Sequence, residues 1–350
     1  MSAPRGMEMP LRVLPRPNRH GIALVTSLLA LVGCSGQSVA EPHLPSVPPS
    51  TLTGRIPPEA AGAPTTKVPT TRVDTSTTSM MPSPTSTLIG SVTAAVGADA
   101  FVAPSAVGSG DGSSVDNAAA ISRLNSLIAR VGPGGVIEIS ADAGPYTIAQ
   151  PIGLSAGGMA SAPVTIRGPL NGSSPELRGL RESPYSAAGE PGRALFRLDA
   201  GANHLVFRGL SCVNAGNGCF HVAAPLRDLA ISDVTAANVQ RFFENRAGQG
   251  QADATIDGLV ISNVRVSGFS KGAIRIGYNS HDIELAEIIG DSQRQDGDNF
   301  AIGIHLVDSV HDVSIERVSM DNARDTIHEY WNGDGFAAEE NVYQLHLIYT

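Results

Sequence analysis

The chain has 350 residues, 42% of them hydrophobic and only 16% charged, with a formal net charge of -9. That length allows one large core, and the acidic balance disfavours nucleic-acid binding, because phosphate contact needs a basic face. The three cysteines include no CxxC pair and no Cys/His metal spacing.

In chain order, the first element is an export signal. Arg5, Arg12, Arg16 and Arg19 precede an apolar run from Gly21 to Gly33, which is too short to span a bilayer. Leu31-Val32-Gly33-Cys34 resembles the bacterial lipobox, and the resemblance implies cleavage before Cys34 and acylation of that residue. Residues 1–33 are therefore expected to be a lipoprotein signal, and the mature protein a lipid-anchored member of the cell envelope. With Cys34 taken by lipid, Cys212 and Cys219 remain, either as a disulfide closing a short loop or as two small residues in a core.

Residues 34–95 are expected to be the lipidated cysteine and a disordered tether. Pro45-Ser-Val-Pro-Pro-Ser-Thr and Ser76-Thr-Thr-Ser-Met-Met-Pro-Ser-Pro show no apolar periodicity. Such a segment buries too little surface to offset its ordering entropy.

The folded domain is expected over 96–350. Ser114 to Arg130 reads as an amphipathic helix, with Ser114 or Asp116 as N-cap and Ile121, Leu124, Leu127 and Ile128 on one face. Gly132-Pro-Gly-Gly breaks it, and Val136-Ile-Glu-Ile139 opens a strand, followed by Gly144-Pro-Tyr-Thr-Ile148. One pattern then returns, at Val164-Thr-Ile-Arg, Leu205-Val-Phe-Arg, Leu229-Ala-Ile-Ser and Leu259-Val-Ile-Ser. It continues at Ile283-Glu-Leu-Ala, Val313-Ser-Ile-Glu and Leu345-His-Leu; from Leu205 the starts recur every 24 to 32 residues. Apolar alternation within a long repeat is the signature of a solenoid whose coils bury a shared core. Asn214, Asn238 and Asn322 stand at similar places, where coils turn and side-chain amides can stack.

Helix, glycine turn, short strand and repeat together resemble the pectin-lyase-like superfamily. The resemblance implies an all-β fold, a right-handed single-stranded parallel β-helix with an N-terminal capping helix. Hairpin dipeptides at ten-residue spacing, which a sandwich needs, are not evident, nor are the long helices of an α/β fold after Arg130. The sequence stops at Thr350, inside what reads as a strand, so the C-terminal end of the solenoid is expected to be incomplete.

Charge is unevenly spread. From Asp282 to Glu340 there are fifteen acidic residues and three basic ones, Arg294, Arg317 and Arg324. Docking of an acidic polymer onto that stretch is unfavourable unless a divalent cation bridges it. Asp291, Asp296 and Asp298, on a polar loop before a strand, are either oxygen ligands for Ca²⁺ or a solvated turn. Tyr330 and Trp331 are either a platform for a sugar face or a core plug, with Asn332 beside them. Asn332-Gly-Asp-Gly-Phe-Ala is similar to segments of calcium-dependent β-helix lyases, which implies metal-ligand roles for Asp334 and Glu339.

Lys271 is the only lysine after residue 96. β-Elimination on a uronate needs a base near C5 and a cation that neutralises the carboxylate. Lys271 is a candidate base, or simply an exposed loop residue, while Arg275 and Arg324 are candidate carboxylate clamps. His305 alternates with Ile304 and Leu306, so it faces outward, toward a groove or water. The resemblance thus implies a carbohydrate-active protein, foremost a Ca²⁺-dependent lyase of an acidic polysaccharide. Open alternatives are metal-independent hydrolysis by carboxylates such as Asp321 and Asp334, uronate epimerisation, or a non-catalytic glycan-binding or adhesin module.

Overall fold

A computed structural model describes residues 97–186, 192–293, 301–323 and 334–348 of the chain. The export signal, Cys34 and the tether lie outside the described residues. Alternating apolar residues make short strands, and each coil places one strand on each of three faces. On the first face Ala100–Ala103, Val136–Ile139, Val164–Arg167 and Leu205–Arg208 pair in parallel and in that order. The ladder continues through the opening residues of Leu226–Asn245, Ile256–Ile276, His281–Asp291 and His311–Asp321 to Tyr343–Ile348. The second face starts with Tyr146–Thr147, Glu176–Arg178 and Ser211–Val213; the third with Ile152–Leu154, Phe196–Leu198 and Phe220–Val222. Every one of these pairings is parallel, so the architecture is the expected parallel β-helix.

Register follows the sequence repeat. Val164, Leu205, Leu229, Leu259, Ile283, Val313 and Leu345 are successive cross-strand partners, a single column of apolar side chains. All but Leu345 are essentially buried, and Leu345 packs against the same core. Phenylalanines fill the coils between them. Phe220 lies 5.3 Å from Phe196, 5.0 Å from Phe207 and 5.6 Å from Phe242, centroid to centroid.

Between the second and third faces the chain turns through left-handed residues at Asn214, Asn238 and Asn322. Asn214, Asn238 and Asn322 have φ of 57°, 50° and 57°, a conformation that asparagine tolerates better than most L-residues. Asn238 Nδ2 donates to Asn214 Oδ1 at 2.9 Å and to the Glu182 carbonyl at 2.8 Å, so the expected amide stack exists there. Asn238→Ala should destabilise the fold by about 1–3 kcal/mol, and Asn238→Gly by less than Ala, because glycine keeps the backbone conformation. Urea denaturation measures both, and an alanine variant of wild-type stability would remove this corner from the account.

One expectation is corrected, and one open alternative is decided. The helix is only Leu124–Val131, burying Leu124, Leu127 and Ile128. Residues 115–117 form a 3-10 turn, and Ala119–Ala120 are extended because they pair with Val102 and Ala103. Tertiary pairing there outweighs the helix propensity of alanine. The helix still packs against the first coils, with Asn125 Oδ1 accepting from Ser155 N at 2.8 Å and Ala156 N at 3.1 Å. Cys212 and Cys219 are free buried thiols rather than a disulfide. Burial, then a hydrogen bond to Cys212, pushes the Cys219 thiol well above its ordinary range. Among the described residues no helix is long and apolar enough to cross a membrane.

Candidate functional site

On the third face the inward residues Phe196, Phe220, Phe243, Ile274 and Ile304 alternate with an outward column. That column runs Arg197, His221, Glu244, Arg275, His305, each the cross-strand partner of the next. Period-two alternation dictates this, since a strand with one face in the core must turn the other outward. Between Val239 and Arg241 the register shifts, so Arg241 pairs with Gly272 and the following coil gains one residue at Ser270-Lys271. The bulge re-aims side chains here, as bulges do beside sites.

Arg241, Lys271, Arg275 and His305 converge on a cleft of about 160 Å³ whose floor includes Gly272 and Ile302. Gly272 is required, because a Cβ there would lie 2.4 Å from the Ile302 carbonyl oxygen of the next coil. Glu244, 1% exposed, pairs with Arg241 at 2.8 Å through Oε2, and its buried Oε1 has no hydrogen-bond partner. Arg275 Nη1 donates to the Asn245 carbonyl at 3.0 Å. Within an acidic protein, this is a local concentration of positive charge held by backbone and buried carboxylate contacts.

His305 is the titratable centre of the cleft. Burial lowers its pKa below the ordinary 6.5, the contact with Glu339 opposes that shift, and the nearby Arg275 and Arg241 add to it. Its Nε2 lies 3.1 Å from Glu339 Oε2. That shift favours the neutral ring, which can accept a proton while the cations around it attract an anion.

A second, wider hollow of about 640 Å³ adjoins, lined by Asp253, Thr255, Tyr278, Asp308, Ser309 and Glu340 among others. Arg275 stands on the boundary, with Nη2 3.8 Å from Asp308 Oδ2. A hydrogen bond with Asp308, and that residue's charge, raise the pKa of the Glu340 carboxyl.

The structure thus brings together Lys271, Arg275 and His305 from the sequence expectations. Lys271 is half-buried in the strand Ile256–Ile276, not on an exposed loop. Glu339 belongs beside His305. Asp291 serves a turn: its Oδ1 accepts from Gln293 N and from Asn322 Nδ2, both at 2.7 Å. Asp334 opens the third-face strand Asp334–Ala338, whereas Asp321 ends a second-face strand, so this carboxylate pair is placed on different faces. Asp296, Asp298, Arg324, Tyr330, Trp331 and Asn332 lie outside the described residues. Among the described residues the only His/Cys/Asp/Glu group with three ligand atoms within 4.8 Å is Asp257, His281 and Asp282, on the first face. Sequence reading missed Arg241, Glu244, Asp308 and Glu340. Stepping back one repeat from Lys271 and Arg275 leads to Arg241 and Glu244, which is the signal that could have found them.

No family model and no curated protein matches the sequence. Several solved structures share a similar chain path. The lacto-N-biosidase GH136 of Eubacterium ramulus is 12% identical, with a TM-score of 0.41 over 71% of this chain and 57% of its own. A rhamnogalacturonan lyase is 13% identical, with a TM-score of 0.36 over 62% of this chain and 67% of its own. The pectate lyase Pel9A is 13% identical, with a TM-score of 0.31 over 72% of this chain and 78% of its own. The chain thus spans little more than half the length of the biosidase. At these values the reading of the site rests on its own residues.

Proposed function

We propose that the protein is a carbohydrate-active β-helix protein, exported and lipid-anchored at Cys34, that cleaves an acidic polysaccharide by β-elimination at the Arg241–Lys271–Arg275–His305 cleft. The observation that carries this reading is the convergence of three cations on the imidazole of His305, whose burial favours the neutral form. A uronate carboxylate held by Lys271 and Arg275 has its negative charge neutralised, which acidifies the proton on C5. His305 removes that proton, the C5–H electron pair forms the C4–C5 double bond, and the C4–O4 bond breaks as O4 takes a proton from water. The base thus moves from Lys271, where sequence reading placed it, to His305; lysine and arginine act as the carboxylate clamp.

The test is growth of the ultraviolet absorbance of unsaturated uronates, with pectate, alginate and glycosaminoglycans, in calcium and in chelator. The two conditions also test the expected calcium requirement on Asp291, Asp296, Asp298, Asp334 and Glu339. Arg275→Ala is expected to lower kcat/KM by about 10²-fold, the effect of removing one preorganised charge partner. Folded protein that yields no unsaturated product from any uronate polymer would refute elimination.

A further inference from the structure

The two adjoining hollows have opposite electrostatic character. The smaller is lined by Arg241, Lys271, Arg275 and His305 and holds no carboxylate in its lining. The larger includes Asp253, Asp308 and Glu340 with hydroxyls and amides, and no lysine, arginine or histidine in its lining. Arg275 forms the wall between them, tied to the Asn245 carbonyl on one side and facing Asp308 on the other. The Arg275–Asp308 contact thus links the lining of the first hollow to that of the second.

The walls of the larger hollow are built from stacked corners. Tyr278 and Asn279, Asp308 and Ser309, Glu340 and Asn341 all have positive φ, one pair per coil. Asn279 N donates to the Asp308 carbonyl at 2.7 Å, and Ser309 N to the Glu340 carbonyl at 2.8 Å. Backbone pairing from coil to coil thus fixes the carboxylates in a row. Carboxylates and amides of this kind accept from and donate to sugar hydroxyls, but a second uronate would face like charge there, and the nearest cation, Arg275, already faces Asp308 at 3.8 Å.

We infer that the substrate is a polysaccharide in which a uronate alternates with a neutral sugar, the uronate bound at Lys271 and Arg275 and the neutral unit in the hollow lined by Asp308 and Glu340. This inference rests on the preceding reading of the cationic cleft. It excludes an unbroken polyuronate as the preferred substrate. The acidic rim acts as a filter: it costs the neutral unit nothing and repels a carboxylate, and discrimination of this kind works by penalising the wrong partner.

The experiment compares initial rates of unsaturated-product formation by the full chain on two polymer classes. Alternating polymers are hyaluronan, chondroitin and a galacturonate–rhamnose backbone; homopolymers are polygalacturonate and polymannuronate. The best alternating polymer should be cleaved at least about tenfold faster than either homopolymer, which lies between the water-screened and the protein-surface strength of one like-charge contact. In Glu340→Gln and in Asp308→Asn/Glu340→Gln, homopolymer rates should rise and the ratio fall by about tenfold; an unchanged melting temperature confirms that the variants fold. A homopolymer preferred by the wild type, or a ratio that neither variant moves, overturns the inference and leaves elimination at the cationic cleft standing. Absence of product from both classes overturns the two together.

Discussion

His305→Ala and His305→Gln are each expected to lower kcat for uronate elimination by about 10²- to 10⁴-fold, the contribution of a positioned general base. The effect should be the largest of any single substitution on activity. Only neutral imidazole can accept the C5 proton, and burial beside Arg275 and Arg241 keeps it neutral. The sign of the pH dependence follows: activity falls as pH drops through the His305 pKa, with an inflection below 6.5. Glu339 works against that shift, so in Glu339→Gln the inflection should move lower still. Stability follows the same direction. The unfolded chain binds this proton more readily than the folded one, so the contribution of His305 is present above pH 6.5 and lost as pH falls toward the lowered value. Wild-type rates from His305→Ala, with the pH profile unmoved, would disprove its role as base.

Phe220→Ala should have the largest effect on stability, about 3–5 kcal/mol, as large aromatic truncations in cores do. Its ring is fully buried and meets three other phenylalanines, contributed by the coils before and after it and by its own first-face strand. Collapse around the cavity would have to move the strands themselves, which are pinned by backbone pairing to Phe196 and Phe243. Phe220→Leu should cost less than half as much. Guanidinium unfolding of the two variants measures the difference; a loss below 1 kcal/mol for alanine would mean that the stack yields more easily than its pairing suggests.

The first face was legible because nothing interrupts it. From Leu205 to Leu345 each repeat opens its apolar alternation at the same place, so period and register are written in the sequence and the structure pairs the same residues. The Asn214–Asn238 corner was legible for a similar reason: a small amide is the residue type that the backbone there accepts. The third face was harder, because loops of unequal length separate it from the second. Arg241 and Glu244 sit in Val239-Gln-Arg-Phe-Phe-Glu-Asn245, where the register shift hides their kinship with Lys271 and Arg275. At the polar turn, carboxylates and amides also make a corner: Asp291 accepts from Gln293 N and Asn322 Nδ2, while Asp296 and Asp298 lie outside the described residues. The helix was drawn too long because an alanine run carries propensity but no sign of the strand waiting to pair with it.

Unequal loops between faces whose strands stay in register have a consequence for how such a protein can change. Lengthening a loop costs little, since closure entropy rises only with the logarithm of its length, and the ladder on the first face is indifferent to what happens between the second and the third. New binding surface can therefore be added beside the cationic cleft by insertion alone, as a keyboard accepts new keycaps without rewiring. The stack keeps its register and the rim is free to diversify.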